Sequence, residues 1–507
     1  MMKFTQEEIG QITEHGLSVE EAERQIALIN KGVMRPELLK PARINDGIVS
    51  FNEEEKNELV GFWEENSAEI NAVKFVPASG AATRMFKALN FIYHNFDEIT
   101  FSEIKEKAKE KAEFMKAKEF FENLARFPFA EDIPEKLRNF TETDDLFPLM
   151  NFLMNENGLS FSNVPKGLLK FHRRGGKTLT PVEEHASEAL EILKNKEEIK
   201  IHFTISPQFE ERFKKHFAEI LSRTENRKLN FEYSFQHPST DTIVAVGETL
   251  LRDKNGNVVF RPGGHGALIK NLNELDADLI FIKNIDNVSR REIAIKSYEY
   301  KKLLGGYALK LAQEIKRILN ALDSGNITET ELSEAIKFAE KNLNIFFGET
   351  ERAFQFERKK ELLFEKLNKP LRVAGMVKNT GEPGGGPFWV KTENDLTNLQ
   401  IVEKAQIDLS DNEQREILNA STHFNPVDLV CYVRDFKGRK FDLTKFVNPD
   451  YGIITEKHIE GKDVKVLELP GLWNAAMWDW ITVFVDVPLF TFTPVKEVND
   501  LLKPEHL

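Results

Sequence analysis

The stretch V-P-A-S-G-A-A-T-R-M-F-K, Val76 to Lys87, has the residue types of a phosphate-binding loop. A β-branched run, Val73 to Val76, leads into small residues and then into a helix-forming pattern. A strand, a tight loop and a helix in that order aim backbone N–H groups and the positive end of a helix dipole at one spot. Gly80 is free to take the positive φ that such a turn often needs. Arg84 adds a planar fork that matches phosphate oxygens, and Lys87 a second positive charge. The loop lacks the Gly-Lys-Ser/Thr of a Walker A loop and the three spaced glycines of a dinucleotide fingerprint. Polyphosphate binding is one reading; an ordinary strand–helix turn with Arg84 in a surface ion pair is the other.

Five further stretches carry groups with a chemical use. P-K-G-L-L-K supplies Lys166 and Lys170. F-Q-H-P-S-T-D-T supplies Gln236, whose amide can pair donor and acceptor with a base edge or serve as a core hydrogen-bonding group. F-R-P-G-G-H-G-A-L supplies Gly264 and Gly266, where bare backbone can approach a flat ring. D-L-I-F-I-K-N-I-D-N-V ends on Asp286, either a carboxylate at the ligand-binding edge of an open sheet or an Asx turn. F-T-P-V-K-E-V-N-D-L-L places Lys496 just past the last strand. Each lysine, taken singly, reads equally as a solvated surface residue.

The elements that must position these groups alternate in an α/β manner. Amphipathic helices fill the first 41 residues, with Leu17, Ala22, Ile26 and Ile29 at helical spacing, and another spans Asn52 to Ala68. The charged run K-E-K-A-K-E-K-A-E within 101–126 reads as a solvated helical face, and 93–163 as an insertion. Val164 to His172 reads as extended. Thr180, Pro181 and Glu183 spell a helix start, cap, first turn and capping box. Strands are expected at 200–205, 230–235, 242–246, 258–261, 278–282, 371–377, 399–402, 427–433 and 481–485, with a helix at 207–222. A second helical insertion covers 289–366, with a break at Gly305-Gly306. The Gly/Pro-rich E-P-G-G-G-P-F-W, containing Gly384 to Gly386, reads as a lid or a plain connection. Trp473, Trp478 and Trp480 read as core or interface aromatics.

Composition excludes several roles. The 507 residues, 41% hydrophobic with 40 phenylalanines, can bury a sizeable core. A net charge of −13 with no isolated basic block argues against nucleic acid as partner. The single cysteine, Cys431, excludes an internal disulfide and a cysteine-based zinc site. No signal-peptide pattern is expected at the start, and the apolar run 480–492 is broken by Asp486 and Pro488. The expectation is a cytoplasmic protein with no membrane partner. Oligomeric state is not legible.

Taken together and in this order, the six segments resemble the nucleotide-sugar pyrophosphorylases, most closely their UDP-sugar and UDP-N-acetylhexosamine branch. The opening loop resembles their G-x-G-T-R-M, and P-K-G-L-L their P-K-x-x-L. P-G-G-H-G-A-L is similar to P-x-G-x-G, N-I-D-N-V to N-x-D-N-L, and F-T-P-V-K-E-V-N-D-L-L to F-x-P-V-K-x-x-x-D-L-L. L-Q-I-V-E-K-A-Q-I-D resembles the strand with their sugar-contacting Glu, here Glu403, and H-F-N-P-V-D-L their following F-N segment, here Asn425. The resemblance spans about residues 73 to 500 and implies a bacterial branch of that superfamily.

It implies a mostly parallel central sheet of the nucleotide-diphospho-sugar transferase (glycosyltransferase-A, Rossmann-like) type over 71–507, after a helical segment at 1–70. The implied reaction moves a nucleotidyl group from a nucleoside triphosphate, UTP favoured, to a sugar 1-phosphate, releasing pyrophosphate, with Mg²⁺ as cofactor. Implied catalytic residues are Arg84 on the leaving pyrophosphate, Lys166 on the triphosphate and Lys496 on the sugar phosphate; Asp286 is the implied metal ligand. Nucleotide contacts fall on Ala78, Ser79, Gly80, Ala81, Thr83, Gln236, Gly264, His265 and Gly266, with His265 structural rather than catalytic. Sugar contacts fall on Gly375, Glu403 and Asn425. Lys391, in F-W-V-K, mimics the P-V-K motif, but family order favours Lys496. Ala82 stands where the family has glycine, and its methyl group is expected to narrow the phosphate loop. A glycosyltransferase of the same fold, or a non-catalytic nucleotide or nucleotide-sugar sensor prompted by Ala82, are the alternatives.

Overall fold

A computed structural model of the chain describes residues 4–223, 228–247, 249–381, 384–392, 396–459 and 461–507. The chain forms two compact units, 1–73 with 236–282 and 302–489, and 74–235 with 283–301 and 490–507. In the first unit the strands Arg43–Ile44, Gly47–Val49, Ile481–Asp486, Leu371–Lys378, Asp428–Tyr432 and Leu279–Lys283 follow one another across a sheet. Leu371–Lys378 runs parallel to Ile481–Asp486 but antiparallel to Asp428–Tyr432. The architecture is therefore α/β with a mixed sheet, where a mostly parallel one was expected.

One cause of the mixing is local. His423–Phe424 pairs antiparallel with the end of Leu371–Lys378, and Asp428–Tyr432 pairs antiparallel with its beginning. Residues 425–427 bulge between them. Val427 sits there at φ 58, a left-handed conformation that a β-branched residue rarely adopts.

Smaller antiparallel sheets complete the first unit. Leu38–Pro41, Gly386–Lys391 and Thr397–Val402 form one of them. The Gly/Pro-rich connection is thus a strand from Gly386 onward, because Phe388 and Val390 bury their side chains against Leu38 and Val402. Glu382 and Pro383 lie outside the described residues. Another sheet, built on Thr242–Val246 and Lys462–Glu468, is covered by the N-terminal helices Gln6–Glu14 and Val19–Lys31 through Ile12, Ile26 and Ile29.

Gly305-Gly306 does not break a helix. The helix Arg291–Asp323 runs through both. An added Cβ would lie 2.1 Å from the Leu59 carbonyl oxygen at Gly306, and 2.9 Å from the Phe281 ring at Gly305. The glycines let this helix approach Glu53–Asn66 closely, which is a tertiary requirement rather than a local one. Gly306→Ala should therefore cost about 1–3 kcal/mol through overpacking. Gly61→Ala, in the interior of Glu53–Asn66 with open space around its Cα, should instead stabilise by about 0.5–1 kcal/mol. Thermal unfolding midpoints of the two variants should move in opposite directions.

In the second unit, Ala72–Pro77 (from Lys74 on), Glu198–Ile205 and Lys228–Phe235 lie in that order, the last two parallel over eight residues. The helix Pro181–Ile192 begins as its sequence dictates, with Thr180 and Glu183 completing a capping box and Pro181 in the first turn. Much of the phenylalanine content goes into one apolar core that gathers Phe86, Phe120, Phe127, Phe129 and Phe161 with Val288, Val495 and Val498. Phe86 and Phe161 stack at 4.2 Å. The core ties the helices at 101–122 to the segment that carries Lys496. Val164 to His172 is not extended: a 3-10 turn, Lys166–Leu168, folds the chain back before the short strand His172–Arg174.

Candidate functional site

The loop after Ala72–Pro77 is built by hydrogen bonds that hold its flanks and leave its middle open. Ala78 N–H donates to the Thr204 carbonyl at 2.9 Å, and Ser206 Oγ donates to the Ser79 carbonyl at 2.8 Å. Ala82 N–H donates to the Val164 carbonyl at 2.8 Å, and Lys166 N–H to that of Gly80 at 3.3 Å. The N–H groups of Ser79, Gly80 and Ala81 have no acceptor among the described residues. Gly80 is not among the positive-φ residues, so the turn closes without the left-handed step expected of it.

The methyl group of Ala82 does not narrow this loop. It is fully buried, packed with Met85 and Phe86 in the phenylalanine-rich core. Thr83 donates its hydroxyl to the Ser162 carbonyl at 3.2 Å. Arg84 and Lys87 are exposed and have no ion pair or hydrogen-bonding side-chain partner among the described residues. They line a pocket of about 80 Å³ with Lys116, Phe120 and Asn499.

Lys166, Asp286 and Lys496 meet. Lys166 Nζ lies 3.0 Å and Lys496 Nζ 3.2 Å from the same oxygen, Asp286 Oδ2. Lys166 Nζ also donates to the Val495 carbonyl at 2.8 Å. Asp286 is buried; burial alone raises its pKa, but the two ammonium groups outweigh it and hold the carboxyl below the usual aspartate range. Val495 N–H donates to the Asp286 carbonyl, Asn287 Nδ2 to that of Thr491, and Thr493 N–H to Asn287 Oδ1. Val498 N–H donates to the Met85 carbonyl, next to Arg84. These bonds zip the Asp286 turn, the Lys496 segment and the arginine loop together. Lys170 points elsewhere, in an ion pair with Asp132 at 2.6 Å.

Asp286 Oδ1 takes no hydrogen bond among the described residues. No group of three or more metal-ligating side chains exists among them either. The Asp286 Oδ1 oxygen suits a magnesium ion that would arrive on phosphates, since that ion keeps most of its water and needs only one or two protein carboxylates.

A second lysine–carboxylate–lysine triad lies in the same unit, and sequence reasoning missed it. Lys74 Nζ contacts Glu188 Oε1 and Lys283 Nζ contacts Glu188 Oε2, each at 2.7 Å. Lys74 also donates to the His185 carbonyl at 3.1 Å, and His185 Nε2–H to that of Ile285 at 3.2 Å. All four side chains are buried. Lys74 inside the apolar V-K-F-V strand was the available signal; its partner, 114 residues away, was not legible. On the same helix Glu184 binds His172 Nδ1 at 3.0 Å, and His172 Nε2 accepts from His506 Nδ1 at 2.9 Å. That relay fastens the segment 490–507.

In the first unit His265 and Glu403 form a pair. Leu472 N–H donates to His265 Nδ1 at 3.0 Å, so the ring proton sits on Nε2, which faces Glu403 Oε1 at 3.4 Å. Asn474 Nδ2 donates to the same oxygen at 2.6 Å, and Trp473 stacks on the imidazole at 4.2 Å. Burial works against ionisation of Glu403, but His265 and Asn474 hold its pKa below the ordinary glutamate range. The result is an ionised acceptor suited to hydroxyl groups. Gly264 needs its φ of 77, and a Cβ on Gly266 would lie 2.1 Å from the Pro470 carbonyl oxygen.

Asn425 and Gly375 are joined to each other. Asn425 Nδ2 donates to the Gly375 carbonyl at 3.0 Å, and its Oδ1 accepts from Val427 N–H at 3.1 Å. The amide fills the ladder gap left by the 425–427 bulge. Gln236 Nε2 donates to Asp241 Oδ1 at 3.2 Å, and Asp241 in turn pairs with His15. No helix among the described residues is long and apolar enough to cross a membrane.

A family model described as "Domain of unknown function (DUF4301)" matches residues 5–507. No curated protein matches the chain. Among solved structures it is similar to the UDP-glucose pyrophosphorylase from Leishmania major, in open and closed structures, at 13% identity and a TM-score of 0.43, over 99% of this chain and 79% of that one. It is also similar to the uridine diphosphate N-acetylglucosamine pyrophosphorylase from Trypanosoma brucei in complex with an inhibitor, at 12% identity and a TM-score of 0.47, over 98% and 81% of the two chains.

Proposed function

The chain belongs to the DUF4301 family, and we propose that it transfers a nucleotidyl group from a nucleoside triphosphate, UTP favoured, to a sugar 1-phosphate with release of pyrophosphate. The observation that supports this most is the meeting of Lys166 and Lys496 on Asp286, zipped to a loop whose Arg84 has no ion pair or side-chain hydrogen bond among the described residues. A sugar phosphate oxygen attacks the α-phosphorus in line, and the bond to the β-phosphate oxygen breaks. Such a reaction needs positioning and charge neutralisation rather than a covalent intermediate.

The open N–H groups of Ser79, Gly80 and Ala81 receive phosphate oxygens, and Arg84 takes the charge that develops on the departing pyrophosphate. Lys166, held by Val495 and Asp286, presents its ammonium to the triphosphate; the more exposed Lys496 turns toward the incoming sugar phosphate. Asp286 Oδ1 would hold a magnesium ion, which would supply further neutralisation of phosphate charge. Glu403 has the chemistry to accept hydrogen bonds from sugar hydroxyls. With the Ala82 methyl buried in the core, the motive for a non-catalytic sensor falls away.

Pyrophosphate release should be measured with magnesium and UTP across a panel of sugar 1-phosphates. At least one pair should turn over, and Arg84→Ala should slow it at least about 100-fold. Transfer from a nucleotide-sugar to an acceptor, indifferent to Arg84→Ala, would instead identify a glycosyltransferase.

A further inference from the structure

Two triads of two lysines and one carboxylate lie on consecutive parts of the second unit. Lys283 of the inner triad is three residues from Asp286 of the outer one, a span of at most ~11 Å of chain. His185, beside Glu188 on one helix face, donates to the carbonyl of Ile285 between them. The inner triad is charge-unbalanced. Facing Lys74 are Glu188 and His185 from the helix Pro181–Ile192, Lys283 from the end of Leu279–Lys283 and Lys301 from the helix Arg291–Asp323. Lys74 and Lys283, both buried, thus share the one carboxylate that each of them contacts. Charge without a counter-charge is costly where water is excluded, so one lysine must give up its proton most readily. Lys74, fully buried, is that lysine: burial pushes it down to about 7, despite the pull of Glu188.

We propose that the inner triad is a proton-accepting counter-charge for the outer one, so that a nucleoside triphosphate binding at Lys166, Asp286 and Lys496 is taken up together with a proton that goes to Lys74 Nζ. The inference rests on the nucleotide reading of that site. Negative charge arriving at Asp286, three residues along the chain from Lys283, favours the ammonium form of Lys74, and the proton comes from solvent. A cavity of about 10 Å³ beside Glu188 and Lys283, also lined by Ser297, Tyr298 and Thr493, is large enough for about one water to relay it.

The sign is fixed by linkage. A bound state that holds more protons than the free state loses affinity as pH rises. If binding moves Lys74 from about 7 to about 8, the uptake at pH 7.5 is about half a proton per UTP. It should shrink to under about a tenth of a proton at pH 6 and at pH 9.5, where Lys74 has one charge state throughout. Affinity should fall about threefold between pH 7 and 8. Isothermal calorimetry of magnesium–UTP in buffers of different ionisation enthalpy reads the uptake directly.

Wild type should take up about half a proton at pH 7.5, and Lys74→Met, which leaves the Glu188–Lys283 pair intact, less than about a tenth. UTP binding with equal uptake in both proteins overturns the inference and leaves the nucleotide site standing. No UTP binding to either protein overturns both. Should Lys74→Met not fold, the wild-type series from pH 6 to 9.5 decides: a maximum between 7 and 8 supports the inference, and a flat profile overturns it.

Discussion

Glu188→Ala should be among the most destabilising single substitutions in the second unit, at about 3–5 kcal/mol. The carboxylate carries both Lys74 and Lys283 at 2.7 Å in a buried site. Its removal leaves two buried ammonium groups without a counter-charge and a cavity where the side chain was. The lysines can escape part of the cost only by losing their protons. The wild type, with Lys74 pushed down to about 7, already gains stability with pH above that value, and the variant, with both lysines stripped of their counter-charge, should gain it more steeply. The unfolded chain keeps its lysines protonated up to about 10, so the folded variant binds fewer protons between pH 7 and 10, and its stability rises with pH there. In the wild type Glu188 is held well below the usual glutamate range, because Lys283 and Lys74 outweigh its burial. Its contribution is therefore complete above about pH 4.5 and is lost as pH falls below that. The urea midpoint of Glu188→Ala, below that of wild type at both values, should rise more than the wild-type midpoint between pH 7 and pH 9.5, and Lys74→Met should cost less than Glu188→Ala at both. Equal costs would show that volume, not charge, governs the site.

What the sequence disclosed divides along the range of the interactions involved. Thr180, Pro181 and Glu183 identify a helix start within four positions, because capping is a contact between near neighbours. The N-terminal helices were legible from the spacing of Leu17, Ala22, Ile26 and Ile29, since those residues form one apolar face. Gly305-Gly306 misled because a glycine pair ordinarily weakens a helix, whereas here it admits Leu59 and Trp63, some 240 residues away. Ala82 misled for a related reason: substitution of a loop glycine suggests a crowded mouth, but the direction of the methyl group is set by the core beneath. Asn425 and Gly375 fall on the resemblance to a sugar-binding segment, while their bond to each other across a bulge depends on strand register, which no local pattern specifies. The Lys166–Asp286–Lys496 meeting was open to collinear motifs; the buried Lys74–Glu188–Lys283 meeting belonged to no motif and depended on the fold alone.

Asp286→Ala separates binding from turnover under the proposed function. In the resting site the carboxylate competes with incoming phosphate for two lysines, since Lys166 and Lys496 both contact its Oδ2. Deleting it frees both cations, so UTP without magnesium should bind about 5–10-fold tighter, a gain of roughly 1 kcal/mol for relieving one competing charge-assisted contact. Turnover should move the other way. The same deletion would remove the carboxylate proposed to hold the metal and release Lys166 and Lys496 from the geometry that Asp286 imposes, so kcat with magnesium should fall by about 10³ or more. Chelating magnesium should abolish wild-type turnover and change little in Asp286→Ala. Lys166→Met adds the complementary arm: it should weaken UTP binding in the wild-type background and weaken it more in Asp286→Ala, because the lysine then has no internal partner to lose. Tighter binding with slower chemistry in one variant is a result that general damage to the fold does not produce, which is what makes the pair of measurements decisive for Asp286.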